Sequence, residues 1–240
     1  MTGMTEGNRR IAICRLCYGA VEHPALGEWL AYTCHSIALD PRAGGLETFW
    51  IDQAPVYSAR NLAVEVARDR KCDLLVTIDN DMQPDYVPGA PRFWDVAWEF
   101  WNGYRLPCVV SAPCCTAEGD VPVYQEFEDP DGKHLIFLHK ESTVHRTGIE
   151  RVPASTIALA LIDMRCFDQL SPPYFRNRYT DEYQSHLASG EDVIFTADLQ
   201  GPGIPCYVAW DCWAQHNKRV AIGKPGPTVV VAGPQILVDD

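Results

Sequence analysis

Apolar and polar positions in the first eighty residues fall into blocks with alternating periods. Residues 10 to 17 (Arg-Ile-Ala-Ile-Cys-Arg-Leu-Cys) read as a strand that leaves through Tyr18-Gly19. Residues 24 to 38 follow a helical spacing, with Pro24 in the first turn, where its missing N–H does no harm. Phe49-Trp50-Ile51 is a second, short strand. Ser58 to Lys71 is a helix that Ser58 can cap, with Leu62, Val64 and Val66 as its buried stripe. Asp73 to Ile78 is a third strand, apolar enough to be covered on both faces. This β-α-β-α-β order predicts an α/β domain with a mixed, mostly parallel central sheet and helices on both faces. Such sheets bind ligands beyond the carboxyl ends of their strands.

The second half continues the theme less regularly. Pro91 to Tyr104 predicts a helix with Trp94, Trp98 and Trp101 on one face, at a spacing that favours core packing over a platform for stacking a sugar or base. Cys108 to Ala112 reads as a strand, and residues 123 to 140 as a hairpin turning at Asp131-Gly132. Ser155 to Met164 reads as one long apolar strand, followed by a short helix over Arg165 to Leu170. Gly190 to Leu199 is helical, Pro205 to Trp210 is a late strand, and Gly223 to Pro234 is a Gly/Pro-rich stretch. There is no internal repeat or clear linker. The expected organisation is one domain over residues 1–222 and a tail over 223–240.

Composition narrows the class. No apolar stretch is long enough for a membrane-spanning helix, and the polar MTGMTEGNRR start has no secretory apolar region, so a cytoplasmic protein is expected. The ten cysteines sit mostly in apolar surroundings, as in Ile13-Cys14 and Pro205-Cys206-Tyr207, and read as free buried thiols rather than a disulfide framework. Cys14-x-x-Cys17 is a lone CxxC without the second pair that a zinc knuckle needs. A net charge of −12 weighs against a general nucleic-acid binder, although Arg146, Arg151, Arg176 and Arg178 could form a local basic face.

The chemistry concentrates where the third strand ends, in Asp79-Asn80-Asp81. Two carboxylates two residues apart point to the same side if the strand continues, and they repel unless a cation lies between them. A hard divalent ion takes such oxygen ligands and shares them with phosphates. The plain alternative is an Asx-rich turn. Glu191-Asp192 opens the predicted helix after Gly190, either as acids complementing the helix dipole or as a general base. His216 lies in a polar segment beyond the late strand, as a surface residue or a metal ligand.

Taken in this order, these motifs resemble the GT-A (Rossmann-like) glycosyltransferases, close to the inverting family-2-like enzymes and to compact bacteriophage-encoded members. The carriers are Ser58-Ala59-Arg60-Asn61, Asp79-Asn80-Asp81 as a D-x-D motif, the apolar run from Pro153 to Met164, Gly190-Glu191-Asp192, and His216. The resemblance implies a nucleotide-sugar-binding half over about 10–110 and an acceptor half over about 111–222. It implies Mn²⁺ or Mg²⁺ held by Asp79, Asp81 and His216, and a donor (a nucleoside diphosphate sugar) contacted by Leu16, Cys17, Tyr18, Arg60, Asn61, Asp79, Asn80 and Lys218, with Arg219 beside Lys218. Asp192 would be the catalytic base and Glu191 its neighbour. The acceptor hydroxyl would belong to a hydroxymethylpyrimidine in phage DNA, which places the protein in the host cytoplasm, or to a glycan. The residue that grips the base after the second strand has two candidates, Asp40 and Asp52, and Val152-Pro153-Ala154-Ser155-Thr156 replaces the usual Gly-rich stretch. Two other readings stay open: a nucleotidyltransferase, which would normally carry a Gly-rich basic loop where this chain has Cys17-Tyr18-Gly19-Ala20, and a non-catalytic nucleotide-sugar-binding protein on the same scaffold.

Overall fold

Strand and helix periods alternate in the folded chain as they do in the sequence. The computed structural model describes residues 8–17, 23–52, 55–116, 119–129, 132–179, 187–217 and 221–222. Its first half runs β1 (Arg9–Cys17), α1 (Pro24–Leu39), β2 (Ala43–Asp52), α2 (Val56–Asp69), β3 (Leu74–Asp79), β4 (Met82–Gln83), α3 (Phe93–Tyr104) and β5 (Val109–Ser111). The hairpin β6 (Val121–Asp129) and β7 (Gly132–Leu138) follows, then α4 (Lys140–Thr143), β8 (Ile149–Val152), β9 (Ala154–Ser155) and β10 (Leu159–Asp163). A 3₁₀ turn over Met164–Gln169 leads to β11 (Arg178–Tyr179), β12 (Leu187–Ser189), α5 (Glu191–Asp198), β13 (Cys206–Ala209), β14 (Gln215–Asn217) and β15 (Ala221–Ile222). Asp131 and the tail over 223–240 lie outside the described residues.

Seven strands form the central sheet in the order β2-β1-β3-β10-β5-β13-β8. All run parallel except β10 and β8, which oppose their neighbours. The alternation of side chains along each strand divides the core in two. Ala12, Cys14, Leu16 and Leu75 face α2 and α5, where Ala59, Ala63, Ala67 and Phe195 cover them. Ile11, Ile13, Leu74, Val76 and Ile78 face α1 and α3, where Leu26, Trp29, Trp94 and Trp98 cover them. The three predicted tryptophans are core residues: Trp94 stacks on Trp98 at 5.3 Å and Trp98 on Trp101 at 5.7 Å. Their polar tips are satisfied inside, Trp98 Nε1 donating to Asp40 and Trp101 Nε1 to Asp163, each at 2.7 Å. All ten cysteines are free, and all but Cys17 and Cys34 are buried.

Three expectations need correction. Helix α2 begins at Val56 behind Pro55 with no side-chain cap, so Ser58 lies inside it. Its sheet-facing side is built from alanines with Arg60 and Val64, while Leu62 is 44% exposed. Small residues let the helix lie close to the sheet, which a search for large apolar residues does not register. The apolar run from Ser155 to Met164 is two strands, because the chain breaks at Thr156-Ile157-Ala158 and the Ile157 carbonyl accepts from Arg60 and Thr77 side chains. The second strand is far longer than Phe49–Ile51, pairing with β1 from Ala43 to Asp52.

Candidate active site

Residues from six separate stretches of the chain line one cavity of about 600 Å³, among them Arg60, Asp79, Asp81, Glu191, Asp192 and His216. The topology explains the meeting. Strands β3 and β5 are parallel, so their carboxyl ends share an edge of the sheet, and β10 runs the opposite way and starts at that same edge. Cys114, Cys115 and Thr116 beyond β5, and Thr156 before β10, therefore complete the lining. The sequence gives none of these four a place in this site, although the rule that ligands sit beyond strand ends applies to β5 as well as β3.

The side-chain parity of β3 decides where Asp79 goes. Leu75 faces α2, so Asp79, four residues on, faces α2 too and meets Arg60. The Arg60 Nη2 lies 3.1 Å from both carboxylate oxygens of Asp79, its Nη1 donates to the Ile157 carbonyl at 3.0 Å, and its Nε is 3.4 Å from Glu191 Oε1. Arg60 is 2% exposed. It is the internal cation between two cavity carboxylates. Its guanidinium is engaged by protein groups while the residue still lines the cavity.

Asp81 turns elsewhere. Its Oδ2 lies 2.9 Å from His216 Nε2. The pairing is built by a short antiparallel ladder in which His216 sits opposite Met82, and Asn217 N donates to the Asp81 carbonyl at 2.7 Å. The structure thus unites Asp81 with His216 across the length of the domain, and joins Asp79 to Arg60 rather than to that pair. Two cis ligands, each about 2.1 Å from an octahedral hard cation, lie roughly 3 Å apart, so the Asp81–His216 spacing fits one edge of such an ion. Among the described residues no three His, Cys, Asp or Glu side chains form a complete metal cluster. Remaining positions on a cation would fall to phosphate oxygens and water, as is usual for magnesium.

The other expected residues separate. Leu16 is fully buried in the core, so its side chain cannot touch a ligand; its carbonyl instead accepts from Asn80 N at 3.0 Å. Asn80 is 3% exposed. Asn61 faces away from the cavity, donating to the Tyr57 and Phe175 carbonyls and accepting from Tyr174 and Phe175 N–H groups. Its amide is engaged by backbone at both ends. Cys17, half-buried, ends β1. Tyr18, Lys218 and Arg219 lie outside the described residues.

The cavity gathers four acidic side chains around the Arg60 guanidinium, and the balance shows in the acidity of Asp79 and Glu191. Burial pushes the Asp79 carboxyl up from 3.8 to about 7; Arg60 opposes this, Asp81 and Glu191 add to it, and His216 opposes it. Burial also raises Glu191, against Arg60 and with Asp192. A carboxyl whose pKa rises on folding keeps its proton more tightly in the folded chain. Its contribution is whole below the unfolded value, about 4, and is lost as pH climbs through about 7. Without divalent cation, the wild type should therefore lose stability relative to Asp79→Asn between those limits, by a few kcal/mol at about 1.36 per pKa unit. Thermal melts across that range check this; parallel curves would contradict it.

The chain matches no protein-family model and no curated protein sequence. Among solved structures it is similar to A197 from STIV, with a TM-score of 0.57 and 16% identity over 94% of this chain and 99% of that one. The likeness shows a shared fold over nearly the whole of both chains. Weaker superpositions are found with GalNAc-T7 bound to UDP, GalNAc and Mn²⁺ (TM-score 0.45, 12% identity, 89% of this chain and 45% of that one). A 4-diphosphocytidyl-2C-methyl-D-erythritol synthase from Anaerococcus prevotii DSM 20548 also aligns (TM-score 0.35, 13% identity, 82% and 100%). At TM-scores below 0.5 these two say nothing further about this chain. No helix among the described residues is long and apolar enough to cross a membrane.

Proposed function

We propose that the protein is an inverting glycosyltransferase of the GT-A type, moving a sugar from a nucleoside diphosphate sugar to an acceptor hydroxyl in this cavity. The observation that carries the reading is the convergence of Asp81, His216 and Asp192, far apart in sequence, on one cavity at the carboxyl edge of the sheet. Asp81 and His216 would hold Mn²⁺ or Mg²⁺, which when bound supplies neutralising charge to the leaving diphosphate.

The chain's own groups do the rest. Asp192 accepts the proton of the acceptor hydroxyl as its oxygen bonds to the anomeric carbon, and the bond from that carbon to the diphosphate breaks. Asp192 is held for this by its place in the first turn of α5, where its Oδ1 accepts from Val193 N at 2.8 Å. That helix is anchored by Thr196, buried against the backbone of Ser155 in β9. Arg60 and Glu191 fix the same helix end to Asp79, two residues before Asp81, so the base is tied to the strand end that carries one member of the metal pair. The buried pair Arg60–Asp79 is a positioning device, and Thr116 and Thr156 offer hydroxyls to a bound donor.

Incubation with nucleoside diphosphate sugars and Mn²⁺, following release of nucleoside diphosphate, tests the reading. Release from one donor series, stopped by chelation, is the expected result. Pyrophosphate release from a nucleoside triphosphate would instead make it a nucleotidyltransferase. Two variants address the metal pair. Asp81→Ala should abolish manganese-dependent donor binding, and His216→Ala should weaken manganese affinity by at least the roughly 10–100-fold that loss of a group merely supporting a ligand costs. An unchanged manganese titration in either would remove that residue from the assignment.

A further inference from the structure

On the other side of α2 lies a second, larger cavity, of about 690 Å³, between that helix and residues 172–179. We propose that it binds a neutral oligosaccharide, the acceptor for the transfer; this rests on the proposed glycosyltransferase reading and decides between its two acceptor classes. The cavity is preformed. Asn61 on α2 holds the backbone of Tyr174 and Phe175 through both ends of its amide. Arg68 on the same helix pairs with the Tyr174 hydroxyl, and Arg176 is fixed by Asp198 of α5 at 2.7 Å. A wall fastened to two helices costs little ordering when a ligand arrives.

Its position follows from helix geometry. Val56 and Arg60 line the catalytic cavity, whereas Tyr57 and Asn61, one residue on and about 100° round the helix, line the groove. A chain lying in the groove therefore passes beside the same two turns of α2 that border the cavity. The lining combines rings with a few polar groups. Tyr57 and Leu62 are 36% and 44% exposed, a pair of large side chains left open on the helix. Tyr179, Ser58 and Glu65 add a phenol, a hydroxyl and a carboxylate. A pyranose presents a C–H face to aromatic rings and hydroxyls to such polar groups.

Charge selects against the nucleic-acid alternative. Among the described residues the lining charges are Glu65 and Arg176, and the latter is paired with Asp198. A phosphate chain would meet the Glu65 carboxylate and a guanidinium already neutralised by Asp198, on a protein of net charge −12.

The test uses the full-length protein on an array of defined neutral oligosaccharides, with a single-stranded 20-nucleotide DNA carrying hydroxymethylcytosine as competitor, and measures nucleotide-sugar affinity in parallel. The expected result is binding to an oligosaccharide series, weakened about tenfold or more by Tyr57→Ala and by Leu62→Ser, with melting temperature and donor affinity kept. Both side chains are exposed, so neither change threatens folding. A protein that binds donor but no oligosaccharide, or whose oligosaccharide binding ignores both substitutions, or that binds the DNA in preference, overturns the inference and leaves the transferase reading standing. Failure to bind any donor strikes the transferase reading itself.

Discussion

Asp192→Asn is expected to lower turnover by about 10²–10⁴-fold, the usual range for removing a general base, while leaving affinity for donor and Mn²⁺ near the wild-type values. The substitution keeps the volume and retains an oxygen for the Val193 N–H, which lies 2.8 Å from the carboxylate today. It deletes only the ability to take a proton. Glu191 is the nearest possible substitute, but it is buried and lies against Arg60, so it should not rescue the reaction. The informative quantity is the split between rate and binding. A loss of donor affinity with little change in maximal rate would move Asp192 from the proton to the donor, and wild-type turnover would place the base elsewhere.

Arg60→Met should produce the largest effect on stability. Removing one member of a buried, paired set of charges costs about 3–5 kcal/mol, because the partners remain buried without compensation. For a chain of this size that is a fall in melting temperature of roughly 6–20 °C. Asp79 and Glu191 both lose the cation that holds their pKa values down and stabilises their ionised forms, so the loss should deepen as pH rises. Calorimetric melts at pH 5 and pH 8 measure both. A residue that only touches a bound donor would give a different outcome, with the apo protein unchanged in stability and donor affinity reduced. That outcome would restore the role that the motif resemblance implies for Arg60.

The architecture was legible because its signals are local and repeated. Strand-length apolar runs separated by helix-length periodic segments admit few arrangements, and a parallel sheet with covered faces is the common one. The meeting of Asp81, His216 and Asp192 was legible only through motif order; nothing local in Gln-His-Asn says that it pairs with Met-Gln some 130 positions earlier. The finer placement of Asp79 depends on parity along β3 together with an arginine on the facing side of α2, and that side was misread because it is lined with alanine. Leu16 and Asn61 take orientations that their positions in the motif do not reveal. Each neighbours a cavity residue in sequence, but one faces the core and the other holds a loop. The break at Thr156-Ile157-Ala158 was hidden because its residues are as apolar as the strand that follows, and the reason for it, a carbonyl held by Arg60 and Thr77, is a long-range contact.

The central claim is that this cavity binds a nucleoside diphosphate sugar together with a divalent cation. The most direct measurement is thermal stabilisation of the purified protein by nucleoside diphosphates and their sugars, each with and without Mn²⁺. A ligand that binds only the folded state raises its stability, by about 2.7 kcal/mol when present at a hundred times its dissociation constant. The account predicts a shift for one nucleotide series that requires manganese and disappears in Asp81→Ala. Absence of any shift across the series, or one that is indifferent to both manganese and Asp81, would contradict it.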